Sequence, residues 1–254
     1  MTSSGNDVAR GLLFGSVADR YERFRTGYPG ELADLVLQYA GRPVRTVLEV
    51  GAGTGKATRV FAARGIEVTA LEPDADMVRV LVASSAGLPV RAVVATFEQF
   101  ATSARFDVLL AAASWHWTDP ATRWARAVDL LVPGGVLALC GSPGEPHDPV
   151  LAAALHEVER ETLAPAGQVP GQVPGHQWTD DDIRAAGLVD VERHELARRV
   201  RVTREDFGGR LGTVSAYLLL EPAARAEAIR RALAVLPEAF DVEASIRLFL
   251  SRRP

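Results

Sequence analysis

The sequence predicts an α/β fold: a mostly parallel sheet of seven strands covered by helices, with a helical insertion between the last two strands. Three observations predict it. Short apolar runs of strand length alternate with helical patterns up to residue 140. A glycine-rich turn, Gly51-Ala-Gly53-Thr-Gly55, joins the first such run to the first helical pattern. Two acids, Glu49 and Glu72, stand at the ends of the first two runs. At 254 residues the chain can bury a full core, and one domain over 1–254 is expected.

Val44 to Val50 is a β-branched run closed by glycines and reads as the first strand. Lys56 to Arg64 reads as a helix, with Gly65 where a helix stop belongs. Ile66 to Leu71 is the second strand, and Asp74 to Ala83 a helix with Asp74 as N-cap. Val90 to Ala95 and Phe106 to Ala112 make strands three and four. Asp119 to Leu131 is helical, and Pro133-Gly-Gly135 turns into a fifth strand, Val136 to Cys140. Pro149 to Leu163 reads as a helix. Gln168-Val-Pro-Gly followed by Gln172-Val-Pro-Gly reads as a mobile surface loop, two copies being too few for a solenoid. Asp180 to Ala186 is a short helix, and Val189 to Val202 contains a sixth strand. Arg204 to Leu236 is largely helical, and Phe240 to Leu250 alternates as a closing strand.

Composition narrows the function classes. A formal charge of -4 gives no electrostatic reason for a nucleic-acid partner, and the arginines are scattered. No apolar run reaches the roughly 20 residues that span a bilayer, so no membrane is expected. Met1-Thr-Ser-Ser-Gly-Asn-Asp lacks the basic and hydrophobic parts of a signal peptide. Cys140 is the only cysteine, which excludes an internal disulfide and a cysteine metal cluster. A cytoplasmic location follows as the expectation. No metal is expected either. Asp180-Asp-Asp182 suits a helix N-terminus through the macrodipole, and His147 with Asp148 has no third ligand at a telling spacing.

Glycines at 51, 53 and 55 let the backbone turn sharply and a ligand approach without meeting a Cβ. Nucleotide, flavin and methyl-donor sites all use such a loop. A dinucleotide fingerprint wants its third glycine at the position of Lys56. Glu49, below the loop, would repel a pyrophosphate and attract the ammonium and sulfonium of S-adenosylmethionine. Glu72 can accept both hydroxyls of a ribose. Glu72 thus argues for an adenosine ligand, Glu49 favours the methyl donor over NAD, and Glu49 with Lys56 counts against an NAD-dependent oxidoreductase.

Val47-Leu-Glu-Val-Gly-Ala-Gly-Thr-Gly resembles the first motif of class I S-adenosylmethionine-dependent methyltransferases, and Leu71-Glu-Pro-Asp resembles the second. The resemblance covers residues 14–140 and implies a Rossmann-like sheet with its last strand antiparallel. It implies that Glu49, Gly51, Ala52 and Gly53 line the methionine part of the cofactor and that Glu72 holds the ribose. It places Pro73, Met77, Thr96, Phe97, Ala113 and Tyr21 around the same cofactor. Met77 reads equally as a core methionine. Thr96 stands where many relatives carry an adenine-reading aspartate, which leaves the Phe97 N–H as a candidate reader.

Ser114-Trp115-His116-Trp117-Thr118-Asp119 follows the fourth strand and borders the site. It is similar to a segment of small-molecule methyltransferases of the trans-aconitate methyltransferase type. Ala18 to Pro29 resembles the opening helix and lid of that group, giving a lid over 1–30. Leu211 to Tyr217 resembles its helical insertion, giving a substrate cover over 203–236. The resemblance implies a small-molecule acceptor, with a secondary metabolite or small acid expected. His116 is the candidate general base for an acceptor that must lose a proton, and it reads equally as a structural histidine. Arg25 can orient a carboxylate, which needs no base. Tyr28, Trp115 and Tyr217 are substrate-side candidates, with packing as the alternative for the aromatics. A protein that keeps the pocket without turnover remains open, as does oligomeric state.

Overall fold

The computed structural model describes residues 12–164 and 178–254, so the tetrapeptide repeat lies outside the described residues. The chain opens with a 3-10 turn, Leu12–Val17, and two helices, α1 (Ala18–Phe24) and α2 (Glu31–Ala40). β1 (Thr46–Val50), α3 (Thr58–Ala62), β2 (Glu67–Glu72), α4 (Ala75–Ser84) and β3 (Val90–Val94) follow. After β4 (Phe106–Ala112) come α5 (Arg123–Leu130) and β5 (Leu131–Gly141). The remainder runs β6 (Glu145–Pro146), α6 (Pro149–Leu163), α7 (Asp180–Ala185), β7 (Val189–Leu196) and β8 (Arg199–Thr203). It closes with α8 (Arg204–Leu211), α9 (Ser215–Leu218), α10 (Pro222–Ala234), β9 (Ala239–Glu243) and β10 (Ile246–Arg252).

Seven strands form one sheet in the order β3-β2-β1-β4-β5-β10-β7. The β1, β2, β3, β4 and β5 pairings are parallel, while β10 runs antiparallel to both β5 and β7. The expected fold is therefore the observed one. Fully buried apolar side chains on the strands explain it, since a parallel sheet is covered on both faces. Val47, Val68, Val108 and Val136 face Leu32, Val36 and Phe61 from α2 and α3. Leu48, Leu109, Leu137 and Leu139 face the other layer, with Trp115, Ala127 and Ile183. Strand order reverses between β1 and β4, and the crevice beyond the carboxyl ends there is where such sheets bind ligands.

Two expectations are corrected, and a third, the strand expected within Val189 to Val202, is met and extended by a second strand. The fifth strand begins at Leu131, because Gly134 and Gly135 pair with the chain end: Gly134 N–H donates to Arg253 O at 2.9 Å and Arg253 N–H to Gly135 O at 2.8 Å. The stretch from Val189 to Val202 is two strands, and so is that from Phe240 to Leu250. In both, the chain leaves one sheet for another at a paired break. Ala244 N–H donates to Arg198 O at 2.9 Å, and Arg198 N–H donates to Ser245 Oγ at 3.0 Å.

The second sheet, β6-β9-β8, and helices α6, α8, α9 and α10 make a cap with its own core. Leu155, Phe207, Tyr217, Ala232 and Phe240 fill it. The cap thus draws on β6 and α6 as well as on the expected segment. The opening helix bridges core and cap. Glu22 of α1 takes Arg59 at 2.7 Å and Lys56 at 3.4 Å from the core. Arg25, just after α1, takes Thr213 of the cap.

Candidate active site

β1 and β2 carry Glu49 and Glu72 to the crevice, Glu49 opposite Ala70 and Glu72 at the end of β2, and the glycine loop runs between them. Gly51 has φ +64°, and a Cβ there would lie 2.6 Å from Ser114 Cβ. Only glycine meets both conditions. Gly53 has φ +56°, and a Cβ would enter open space, which is room for a ligand. Ser114 Oγ donates to Val50 O, tying the end of β4 to the loop. Ala113 before it sits at φ +58°, a conformation rare for a residue with a Cβ, at the mouth of the crevice.

Glu72 is buried, and its carboxylate organises the loop. Oε2 accepts from Gly53 N–H at 2.8 Å and Oε1 from Asp74 N–H at 3.0 Å. A carboxylate offers about four acceptor sites, so two remain for a ligand's hydroxyls. Burial pushes its pKa up to about 7 against these two hydrogen bonds. Glu49 is 1% exposed and accepts from Thr58 Oγ1 at 2.5 Å. Burial, only partly offset by the Thr58 bond, pushes its pKa up to about 8. A buried carboxylate in this state favours a cationic ligand, whose charge would restore the ionised form.

Two adjoining cavities open here. The first, about 300 Å³, is lined by Gly51, Gly53, Glu72, Pro73, Met77, Thr96, Phe97, Ala113 and His116, among others. The second, about 110 Å³, is lined by Glu49, Ala52, Lys56, Tyr28 and Arg210. Tyr21 and Arg25 line both. A nucleoside fits the first by its donor set: acid at Glu72, apolar walls at Met77 and Phe97, and a Phe97 N–H with no partner among the described residues. An ammonium fits the second at Glu49. Among the described residues no group of histidine, cysteine and acid side chains can hold a metal ion.

Comparison with known proteins agrees with this geometry. Residues 48–139 match a family described as a methyltransferase domain. That stretch is thus similar to a methyltransferase domain, over about a third of the chain. An uncharacterized methyltransferase of Mycobacterium tuberculosis is 40% identical over 141 residues, 55% of each chain. A trans-aconitate 2-methyltransferase of Deinococcus radiodurans is 31% identical over 149 residues, 56% of each chain. The chain spans about half the length of these relatives in the matched region. Among solved structures, the YcgJ protein of Bacillus subtilis superposes with a TM-score of 0.58 at 19% identity, covering 88% of this chain and 98% of that one. A phosphoethanolamine N-methyltransferase of Haemonchus contortus gives 0.61 at 15%, covering 100% of this chain and 61% of that one. These two likenesses concern the fold.

Most of the residues singled out from the sequence meet around the two cavities. Trp115 and Tyr217 do not. Trp115 is 1% exposed and packs between Phe97 and Trp124, with ring centroids at 5.8 and 5.3 Å. The 3-10 turn Trp115–Trp117 explains this, because it sends neighbouring side chains to different sides and places Trp117 in the cavity instead. Tyr217 is buried in the cap core with its hydroxyl donating to Glu159 Oε1 at 3.0 Å, while Val214 and Ser215 reach the first cavity. Sequence reasoning also missed Phe14, Glu98, Ser142 and Arg210 as lining groups. Nothing local marks Ser142 or Arg210, whose places depend on how the cap docks.

Proposed function

We propose that the chain transfers a methyl group from S-adenosylmethionine to a small molecule held between the first cavity and the cap. The observation that carries this is the pair of buried carboxylates, Glu49 and Glu72, on adjacent strands with the glycine loop between them. When bound, S-adenosylmethionine supplies a methyl group on a sulfonium, an activated leaving group. The protein's part is alignment and exclusion of water. Glu72 takes the ribose hydroxyls on its remaining acceptor sites, and Glu49 takes the ammonium. Tyr21, Phe14 and Trp117 close the cavity beneath the lid.

The acceptor lies toward His116, Trp117 and Arg25, on the cap side of the first cavity. For an acceptor that must lose a proton, the buried His116 imidazole is the base. For a carboxylate acceptor no base is needed, and the Arg25 guanidinium orients it. The name of the Deinococcus relative makes aconitate and other small polycarboxylic acids the first acceptors to try. Net charge of -4 argues for such a molecule over a nucleic acid, and the lone buried Cys140 suits a reducing cytoplasm. The test is transfer of labelled methyl from S-adenosylmethionine to a panel of small acids, hydroxylated aromatics and amines. Transfer to one class, lost in Glu72→Ala, supports the reading. Wild-type protein that binds the cofactor yet transfers to none would recast the chain as a cofactor-binding protein.

A further inference from the structure

Holding a nucleoside and receiving a proton leave one charged lining group of the second cavity without a task. Arg210 sits in the last turn of α8, and among the described residues its side chain makes one hydrogen bond, Nη2 to Pro143 O at 3.3 Å. Gly144 leaves room for it, since a Cβ there would collide with the guanidinium. Burial first, and the Arg25 charge second, pull its pKa down to about 9. The acids behind it are engaged elsewhere: Glu159 accepts from the Tyr217 hydroxyl, and Glu145 lies 3.6 Å from His156.

Three residues along the same turn, Thr213 is fully buried. Its hydroxyl donates to Arg210 O at 2.7 Å and accepts from Arg25 Nε at 2.8 Å. Its carbonyl accepts from Arg25 Nη2 at 2.9 Å. One residue therefore grips the Nε edge of Arg25 and leaves Nη1 for a ligand. Two guanidinium groups are held beside one small cavity, and among the described residues no carboxylate lies within ion-pair distance of either. Like charges gathered out of water become favourable when an anion takes both.

We propose that the Arg210–Thr213 turn completes a carboxylate-binding subsite in the second cavity, with Arg210 and the Thr213-held Arg25 as its donors. The identity of the ligand rests on the methyl-transfer reading, and the carboxylate has two sources: the amino-acid tail of the cofactor, or the acceptor. Thr213 is a positioning residue that acts through Arg25. Because it belongs to the cap, filling the subsite also ties the cap to the lid.

Calorimetric titrations of folded wild type, Arg210→Gln, Thr213→Val and Thr213→Ser test this. The probes are S-adenosylhomocysteine, methylthioadenosine, which keeps the nucleoside and lacks the amino-acid tail, and tricarballylate. Losing one charged hydrogen bond corresponds to about tenfold or more in affinity. If Arg210→Gln and Thr213→Val weaken S-adenosylhomocysteine that much, spare methylthioadenosine, and Thr213→Ser restores binding, the carboxylate is the cofactor's. If they weaken tricarballylate alone, with the same rescue, it is the acceptor's. Variants that bind both acids as wild type does overturn the proposal, as does wild type that binds neither acid. Equal weakening of methylthioadenosine also overturns it. Binding of tricarballylate that depends on Arg210, in a protein that binds neither nucleoside, keeps the subsite and removes the methyl-donor reading.

Discussion

Cofactor binding is expected to expel protons, and the two buried acids set the amount. Without ligand, burial raises Glu49 to about 8 and Glu72 to about 7. At pH 7 about nine-tenths of Glu49 and about half of Glu72 then carry a proton, taken as independent groups. A fixed positive charge against Glu49, and hydroxyls donating to Glu72, both favour the carboxylate. Repulsion between the two acids works against releasing both, so about one proton should leave in total. Calorimetry of S-adenosylhomocysteine binding at pH 7 in phosphate and in Tris measures this, because the heats differ by the proton count times the difference in buffer ionisation enthalpy. Glu49→Gln should cut the count to the Glu72 share, about half a proton or less. Heats independent of buffer from pH 6 to 8, or proton uptake, would refute the reasoning. The same shifts bear on stability without ligand. A folded-state pKa above the unfolded value near 4.5 means that the stability contributed is full below 4.5 and lost as pH rises through about 8. Saturating ligand should flatten that decline in thermal unfolding.

Other expectations follow from named contacts. Glu72→Ala leaves the Gly53 and Asp74 N–H groups without an acceptor, at about 1–3 kcal/mol each, so the melting temperature should fall along with cofactor affinity. Trp115→Ala should cost about 3–5 kcal/mol in urea unfolding, whereas Trp117→Ala should leave the midpoint nearly unchanged and weaken ligand binding. His116→Asn should slow transfer to a hydroxyl acceptor by about 10²–10⁴ and leave transfer to a carboxylate within a few-fold. Equal loss on both acceptors would make the histidine structural.

The core was legible because its signals are local. Alternating apolar runs locate β1 to β4 within a few residues, and Glu49, Glu72 and the glycines act within one loop of one another. The cap was less so. Alternation continues unbroken through Ala244–Ser245, so nothing local marks that change of sheet, and the doubled pairs Leu196-Ala197 and Arg198-Arg199 mark the other only as a lapse in alternation. Trp115 and Trp117 are chemically alike, and only the 3-10 turn decides which one packs and which lines the cavity. Arg210 reads as one more surface arginine until the turn after α8 is folded against Gly144 and Thr213.

The central claim is that Glu49, Glu72 and the glycine loop form a site for S-adenosylmethionine. Calorimetric titration of wild type and Glu72→Ala with S-adenosylmethionine, S-adenosylhomocysteine and NAD tests it most directly. Binding of the first two by wild type, absent in a folded Glu72→Ala protein and absent for NAD, is the predicted result. Preference for NAD, or no binding of either methyl-donor ligand by wild type, would contradict it.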